Sequence, residues 1–205
     1  MLQIENLSKK FGNHIIFEDV NLTFKEGDLV HFFGPNGSGK STLFKIIADI
    51  MSPTKGSVSI DKNKRIGAVI ENPGFIENET ILYNLKYLYT LLNEYNDDVE
   101  KRLKKLCEVF HLDLYSHEVM KNYSVGMRQK TAIIQSIMEN QDIILLDEPT
   151  RGLDKEGVEQ FFQIIKDYSK EKNKVIIIAS HDLMDKLPYN IQLEIKDCKI
   201  YEKTA

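Results

Sequence analysis

Two shortages set the first limits on this chain. It has only two cysteines, Cys107 and Cys198, far apart and outside any metal-ligand spacing. That argues against a disulfide framework or thiolate metal site and for reduced structural thiols. Long apolar runs are also missing: Ile143 to Leu146 and Val175 to Ala179 fall far short of the about 20 residues that a spanning helix needs. A role at a membrane would have to be borrowed from a partner. The start, Met1-Leu2-Gln3-Ile4-Glu5, lacks the basic-then-apolar order of a signal peptide, so a cytoplasmic location is expected. Nor is there a surplus of basic charge. With 27 Lys and Arg against 31 Asp and Glu, the net charge of −4 leaves no broad footprint for nucleic acid. Internal repeats and low-complexity tails are absent, and 42% hydrophobic residues in 205 suffice for one folded unit with a sizeable core.

What is present centres on Gly34-Pro35-Asn36-Gly37-Ser38-Gly39-Lys40-Ser41, between the apolar run Leu29 to Phe33 and a helical pattern from Thr42 to Ile50. This is the spacing of a P-loop. Its glycines let successive backbone N–H groups point into one concave space, Lys40 adds a mobile charge, and the loop runs into a helix N-terminus that favours an anion. The hydroxyl of Ser41 can ligate Mg2+. A triphosphate site is expected here.

Around it, Leu2 to Leu7 and Ile15 to Phe24 alternate as N-terminal strands about the Gly12-Asn13 turn, with Phe11 offering a ring either to the packing or to an adenine base. The P-loop helix is expected to end near Ser52-Pro53. Ser57 to Ile60 and Arg65 to Ile70 read as strands, the second running into Glu71-Asn72-Pro73-Gly74. From Thr80 to about Asn140 the pattern is helical. Ile81 to Leu92 has apolar residues on most sides. Asp97 and Glu100 suggest a capping box ahead of the stripe Val99, Leu103, Leu106 and Phe110, and Ser124 suits the N-cap of a third helix. Ile143 to Leu146 and Val175 to Ala179 read as strands buried on both faces. Asp154 suits a helix cap, and Ile191 to Ile195 with Lys199 to Tyr201 a closing hairpin.

Asp147 and Glu148 end one buried strand and His181 another. In a parallel sheet the carboxyl ends of strands gather the ligand chemistry, which would place these groups beside Ser41. Asp147 then suits a metal partner, Glu148 the polarisation of an attacking water, and His181 a contact to the terminal phosphate.

Gly34 to Ser41, Ser124-Val125-Gly126-Met127-Arg128-Gln129, Ile143 to Thr150, Gly152-Leu153-Asp154 and Ser180-His181 resemble, in order, the ATP-binding cassette of ABC transporters. The resemblance implies an α/β P-loop NTPase of ABC type. It would have a mainly parallel core sheet, an N-terminal antiparallel part and an inserted helical part. Residues 1–205 would be one domain, with a core of 1–78 and 141–205 around a helical insertion of 79–140. It implies ATP and Mg2+. Gly34, Pro35, Asn36, Gly37, Ser38, Gly39, Lys40, Ser41 and Thr42 would surround the phosphates, and Phe11 would stack on adenine. Ser41, Asp147 and Glu71 would face the metal, and Glu148 and His181 would be catalytic. Ser124 and Gly126 would reach the ATP of a second cassette, identical or a close paralogue, with Asp154 in the loop that crosses between subunits. A transmembrane permease and a position on the inner membrane face complete the expectation.

Two departures stand out. Glu71 takes a place where glutamine is common, and Val125-Gly126-Met127 a place where two glycines and a glutamine are common. The run Ile66 to Phe75 with Tyr123 to Gln129 is similar to the bacitracin and lantibiotic export branch. The alternative from another class is a soluble ABC-type ATPase acting on ribosomes or DNA. A kinase or GTPase is disfavoured by the Ser124 to Gln129 run and by the absence of an Asn-Lys-x-Asp guanine reader.

Overall fold

The apolar runs read as buried on both faces form the middle of a sheet. The structure is a computed structural model that describes residues 1–71, 74–181 and 186–203. The expected turn residues Asn72 and Pro73, and Asp182 after His181, lie outside the described residues. Strands β3 (Leu29–Phe33), β6 (Ile143–Asp147) and β7 (Val175–Ser180) are neighbours in the order β6-β7-β3. On the outer sides, β5 (Ile66–Val69) pairs in parallel with β6, and β8 (Ile191–Lys196) with β3. Strand β9 (Lys199–Glu202) adds the antiparallel hairpin to β8. The two residues between them, Asp197 and Cys198, have φ of +49° and +60°, the left-handed backbone that tight hairpin turns require.

Alternation along these strands supplies two cores. Ile143 and Leu145 face one side with Val30, Phe32 and Ile177, whereas Ile144 and Leu146 face the other with Ile176 and Ile178. Each such side chain stabilises the fold by about 1.5–3 kcal/mol when fully buried.

A second, antiparallel sheet has the order β2-β1-β4, from β1 (Leu2–Phe11), β2 (His14–Phe24) and β4 (Lys55–Ile60). The successive strands β4 and β5 thus belong to different sheets. Period-two alternation does not name a strand's partner, and what separates them is burial: β4 is largely exposed, while Gly67 and Val69 of β5 are buried.

Helix α1 spans Lys40–Ile47. It therefore stops well before Pro53, because the chain turns at Asp49, whose φ is +57°. Between β5 and β6 lie α2 (Ile81–Thr90), α3 (Asp97–Val109), a short 3-10 turn at Met120–Asn122 and α4 (Val125–Ile137). Helix α5 (Lys155–Ser169) joins β6 to β7. The expected caps of α4 and α5 form: Ser124 Oγ accepts from the Met127 N–H at 3.2 Å and Asp154 Oδ1 from that of Gly157 at 2.7 Å. The capping box at Asp97 and Glu100 does not. Asn96 caps α3 instead, its Oδ1 accepting from Asp98 and Val99, and Asp97 becomes the first helical residue. Only one face of α2 is buried, through Ile81, Asn84, Leu85 and Tyr89, while Tyr83 and Tyr87 stack on each other in the open.

Helix α4 lies directly on β5. A Cβ on Gly67 would fall 1.8 Å from the Ser136 carbonyl oxygen, backbone against backbone. Gly67→Ala is therefore expected to destabilise the protein by about 3 kcal/mol through overpacking. Urea denaturation checks it, and an unchanged midpoint would show that α4 can withdraw freely.

Candidate functional site

The strand-to-helix turn after β3 is built by backbone that few residues tolerate. Gly37 has φ +81° and Gly39 φ +105°, and a Cβ on Gly39 would come within 2.5 Å of Ile16 Cγ2. The turn opens on a cleft of about 450 Å3. Of the residues expected around phosphate or metal, Asn36, Gly37, Gly39, Lys40, Ser41, Thr42, Glu71, Asp147 and Glu148 line it.

Lys40 is only 6% exposed. Its Nζ donates to the Gly34 carbonyl at 2.7 Å and the Pro35 carbonyl at 3.2 Å, and lies 3.9 Å from Glu148 Oε1. The ammonium is thus parked on the loop's own carbonyls, at the edge of the space an anion would enter. Asp147, 6% exposed, hydrogen-bonds Ser41. Burial lifts its carboxyl above the ordinary carboxylate range. The Ser41 hydrogen bond and the Lys40 charge oppose that shift, and the charges of Glu148 and Glu71 reinforce it. Glu148 follows with φ +47°, fixed by its N–H donating to the Ala179 carbonyl at 2.8 Å. Its Oε2 is 3.1 Å from His181 Nδ1, so two of the expected reacting groups touch.

Several polar atoms are buried without a hydrogen-bond partner: Asp147 Oδ1, Glu148 Oε1 and Ser38 Oγ. The two carboxylate oxygens suit a hard cation, and the Ser38 hydroxyl can donate to a phosphate. Among the described residues, no group of three or more His, Cys, Asp or Glu side chains can hold a metal alone. Mg2+ commonly takes one or two carboxylates and completes its shell with phosphate and water. The residues present fit the group.

Other expected residues lie elsewhere. Phe11 sits at the β1–β2 hairpin tip, 49% exposed, with Lys9 Nζ 4.8 Å from its ring centre. Ser124 and Gly126 line a separate hollow with Val125, Met127, Lys130, Gly152 and Asp154. The structure does not bring them to the phosphate loop of their own chain. Conversely, Ile16, Gln129 and Arg151 line the cleft without having been assigned a place in it. Gln129 belongs to the Ser124 to Gln129 run and Arg151 follows Pro149-Thr150, so proximity to a motif was the available signal. Ile16 had none, because an apolar residue in an alternating strand reads as packing.

A phosphate-gathering loop, a buried acidic strand end and a neighbouring strand-end histidine define a P-loop nucleotide-binding protein of the ATPase class. The family model for ABC transporters matches residues 17–151, and the chain belongs to that family, as an ATP-binding cassette of the ATPase type. It is 34% identical over 195 residues to the uncharacterized ABC transporter ATP-binding protein YdbJ of Bacillus subtilis, covering 90% of this chain and 62% of that one. To the lantibiotic transport ATP-binding protein SrtF of Streptococcus pyogenes it is 32% identical over 192 residues, with 90% and 82% covered. Among solved structures, the ATP-binding cassette MJ0796, a dimer in a post-hydrolysis state bound to ADP and Pi, superposes with a TM-score of 0.86. The identity there is 28%, and 100% of this chain and 98% of that one are covered. Among the described residues, no helix is long and apolar enough to cross a membrane.

The carboxyl of Asp147 makes a testable link to stability. A folded-state value raised above the unfolded one means that the ionised form weakens the native state, a penalty absent below the unfolded value of 3.8 and growing as pH rises through the folded one. Asp147→Asn should remove it while keeping a partner for Ser41. Without nucleotide, the variant should melt above the wild type at pH 7, and the gap should close on acidification to about pH 4, near the ordinary aspartate value. Thermal unfolding across that range measures it; a gap independent of pH would exclude the ionised carboxylate as its cause.

Proposed function

We propose that this chain is the ATP-hydrolysing subunit of a membrane exporter. Two cassettes, identical or closely paralogous, close head to tail over ATP and drive a separate membrane-spanning permease from the inner face of the membrane. The observation that supports this reading is that Ser41, Asp147 and Glu148 line one open cleft, with His181 touching Glu148. The lantibiotic transport relative favours a role in transport, and the dimeric solved cassette favours pairing. In this reading 1–78 and 141–205 form the nucleotide-binding core, and 79–140 the helical part that meets the permease.

In this reading each residue takes a role. Lys40 exchanges its two loop carbonyls for phosphate oxygens, and the open N–H groups at the start of α1 hold the remaining charge. Ser41, Asp147 and Glu71 would hold Mg2+, which supplies charge neutralisation at the β- and γ-phosphates when bound. Glu148 orients the attacking water and takes its proton, and His181, within hydrogen-bond distance of Glu148, would contact the terminal phosphate. Phe11 offers its ring to adenine at the hairpin tip, with Gly34, Pro35, Asn36, Gly37, Ser38, Gly39 and Thr42 around the phosphates. The partner's ATP meets Ser124 and Gly126, where α4 presents a second helix N-terminus to the γ-phosphate.

Glu148→Gln should keep ATP bound while slowing hydrolysis about 10²–10⁴-fold, the usual contribution of a positioned base. The protein should then accumulate as an ATP-dependent dimer in solution scattering. A monomer with ATP bound would overturn the pairing. His181→Ala should lower kcat while leaving ATP affinity nearly intact; equal losses in both would remove the histidine from the reaction and return it to binding.

A further inference from the structure

One turn beyond the phosphate loop, a lysine engages the third carboxylate of the cleft. Lys45 follows Ser41 by four residues on α1, so the two share a helix face, and helical side chains lean back toward the N-terminus, here toward the cleft. Its Nζ lies 2.5 Å from Glu71 Oε1, with the lysine side chain 24% exposed and the glutamate 61%. Glu71 itself follows β5 in left-handed backbone, φ +60°, which few residues other than glycine adopt.

The charge balance gives this contact a consequence. The ionisable side chains lining the cleft are Lys40 and Arg151 against Glu71, Asp147 and Glu148, an excess of one negative charge where a polyanion must enter. Lys40 is already engaged with carbonyls. Glu71 also adds to the electrostatic pressure on the buried Asp147 carboxyl. With Lys45 counted, the balance is even. The ammonium on Glu71 Oε1 weakens that carboxylate as a ligand, and a divalent cation held there repels the ammonium, so the pair and the cation compete.

Resting on the ATP reading above, we propose that Lys45 is a positioning residue for Glu71: it neutralises that carboxylate while the cleft holds no divalent cation and yields it when one arrives with the nucleotide. Nucleotide and cation affinity are thereby coupled through one exposed ion pair.

The test measures ATP affinity by equilibrium dialysis in excess Mg2+ and in EDTA, for the wild type, Lys45→Met, Glu71→Gln and the double variant. Lys45→Met should weaken binding in EDTA and spare binding in Mg2+. The ratio of the two affinities should widen about two- to fivefold, the scale of an exposed ion pair. Lys45→Arg should restore the wild-type ratio. A bare through-space effect of the lysine on ATP would be the same whether residue 71 is charged or not. In the Glu71→Gln background the widening from Lys45→Met should therefore shrink at least about twofold, the signature of direct coupling. Equal widening in both backgrounds, or none in either, overturns the proposal and leaves the ATP reading standing. A wild type that binds ATP under neither condition overturns the ATP reading itself.

Discussion

The hydrogen-bonded register among β6, β7 and β3 governs where the groups of the cleft can stand. Asp147 pairs with Ala179 and Phe33 with Ser180, so the three strands finish side by side. The ladder then extends one residue past β6, through the Glu148 N–H to the Ala179 carbonyl. That bond holds Glu148 in left-handed backbone and turns its carboxylate to His181, the residue that follows β7. A slip of one residue would exchange the two faces of β6, moving Ile143 and Leu145 into the wrong core and taking Asp147 from Ser41. Two-sided burial of β6 is therefore what fixes the chemistry at its end.

That burial has a local price in free energy. Asp147 carries charge where water is excluded, Glu148 adopts a conformation that side chains disfavour, and buried oxygens on both lack partners. Under the proposed reading a bound cation would partner the buried charge and oxygens, while the surrounding core holds the Glu148 backbone in place. Lys40 is likewise held by the Gly34 and Pro35 carbonyls, which under the proposed reading it would exchange for phosphate oxygens. A cleft arranged in this way has its strongest interactions reserved for what binds there.

Much of this was legible in the residues because the strongest local signals agree with the tertiary structure. Unbroken apolar runs such as Ile143 to Leu146 admit few placements other than the centre of a sheet, and Ser124 and Asp154 cap helices by chemistry contained within three residues. The failures come where neighbours compete. Asn96 and Asp97 both suit an N-cap, and the structure selects Asn96. Pro53 is a valid helix stop, yet Asp49 reverses the chain first. The separation of β4 from β5 depends on partners far away in sequence. Lys45 was invisible for a similar reason: a lysine on a short helix reads as solvated until Glu71 is seen beside it.

The proposed division of labour between two chains places a demand on the way each chain is connected inside. Ser124 and Gly126 face a hollow away from the phosphate cleft, and close packing binds that hollow together, since a Cβ on Gly126 would fall 2.7 Å from the Gly152 carbonyl oxygen. The start of α4 and the loop leading to the Asp154 cap therefore present one joint surface. From the same helix the buried Gln129 reaches the other way, its Nε2 donating to the Pro149 carbonyl at 3.1 Å, directly after Glu148. A displacement of α4 must either carry the loop after Glu148 with it or break a buried hydrogen bond, and leaving such a group unpaired costs about 1–3 kcal/mol. Under the pairing proposed here, the surface that meets one nucleotide and the carboxylate that acts on the other would thus move as a coupled body, with no relay required beyond a single glutamine.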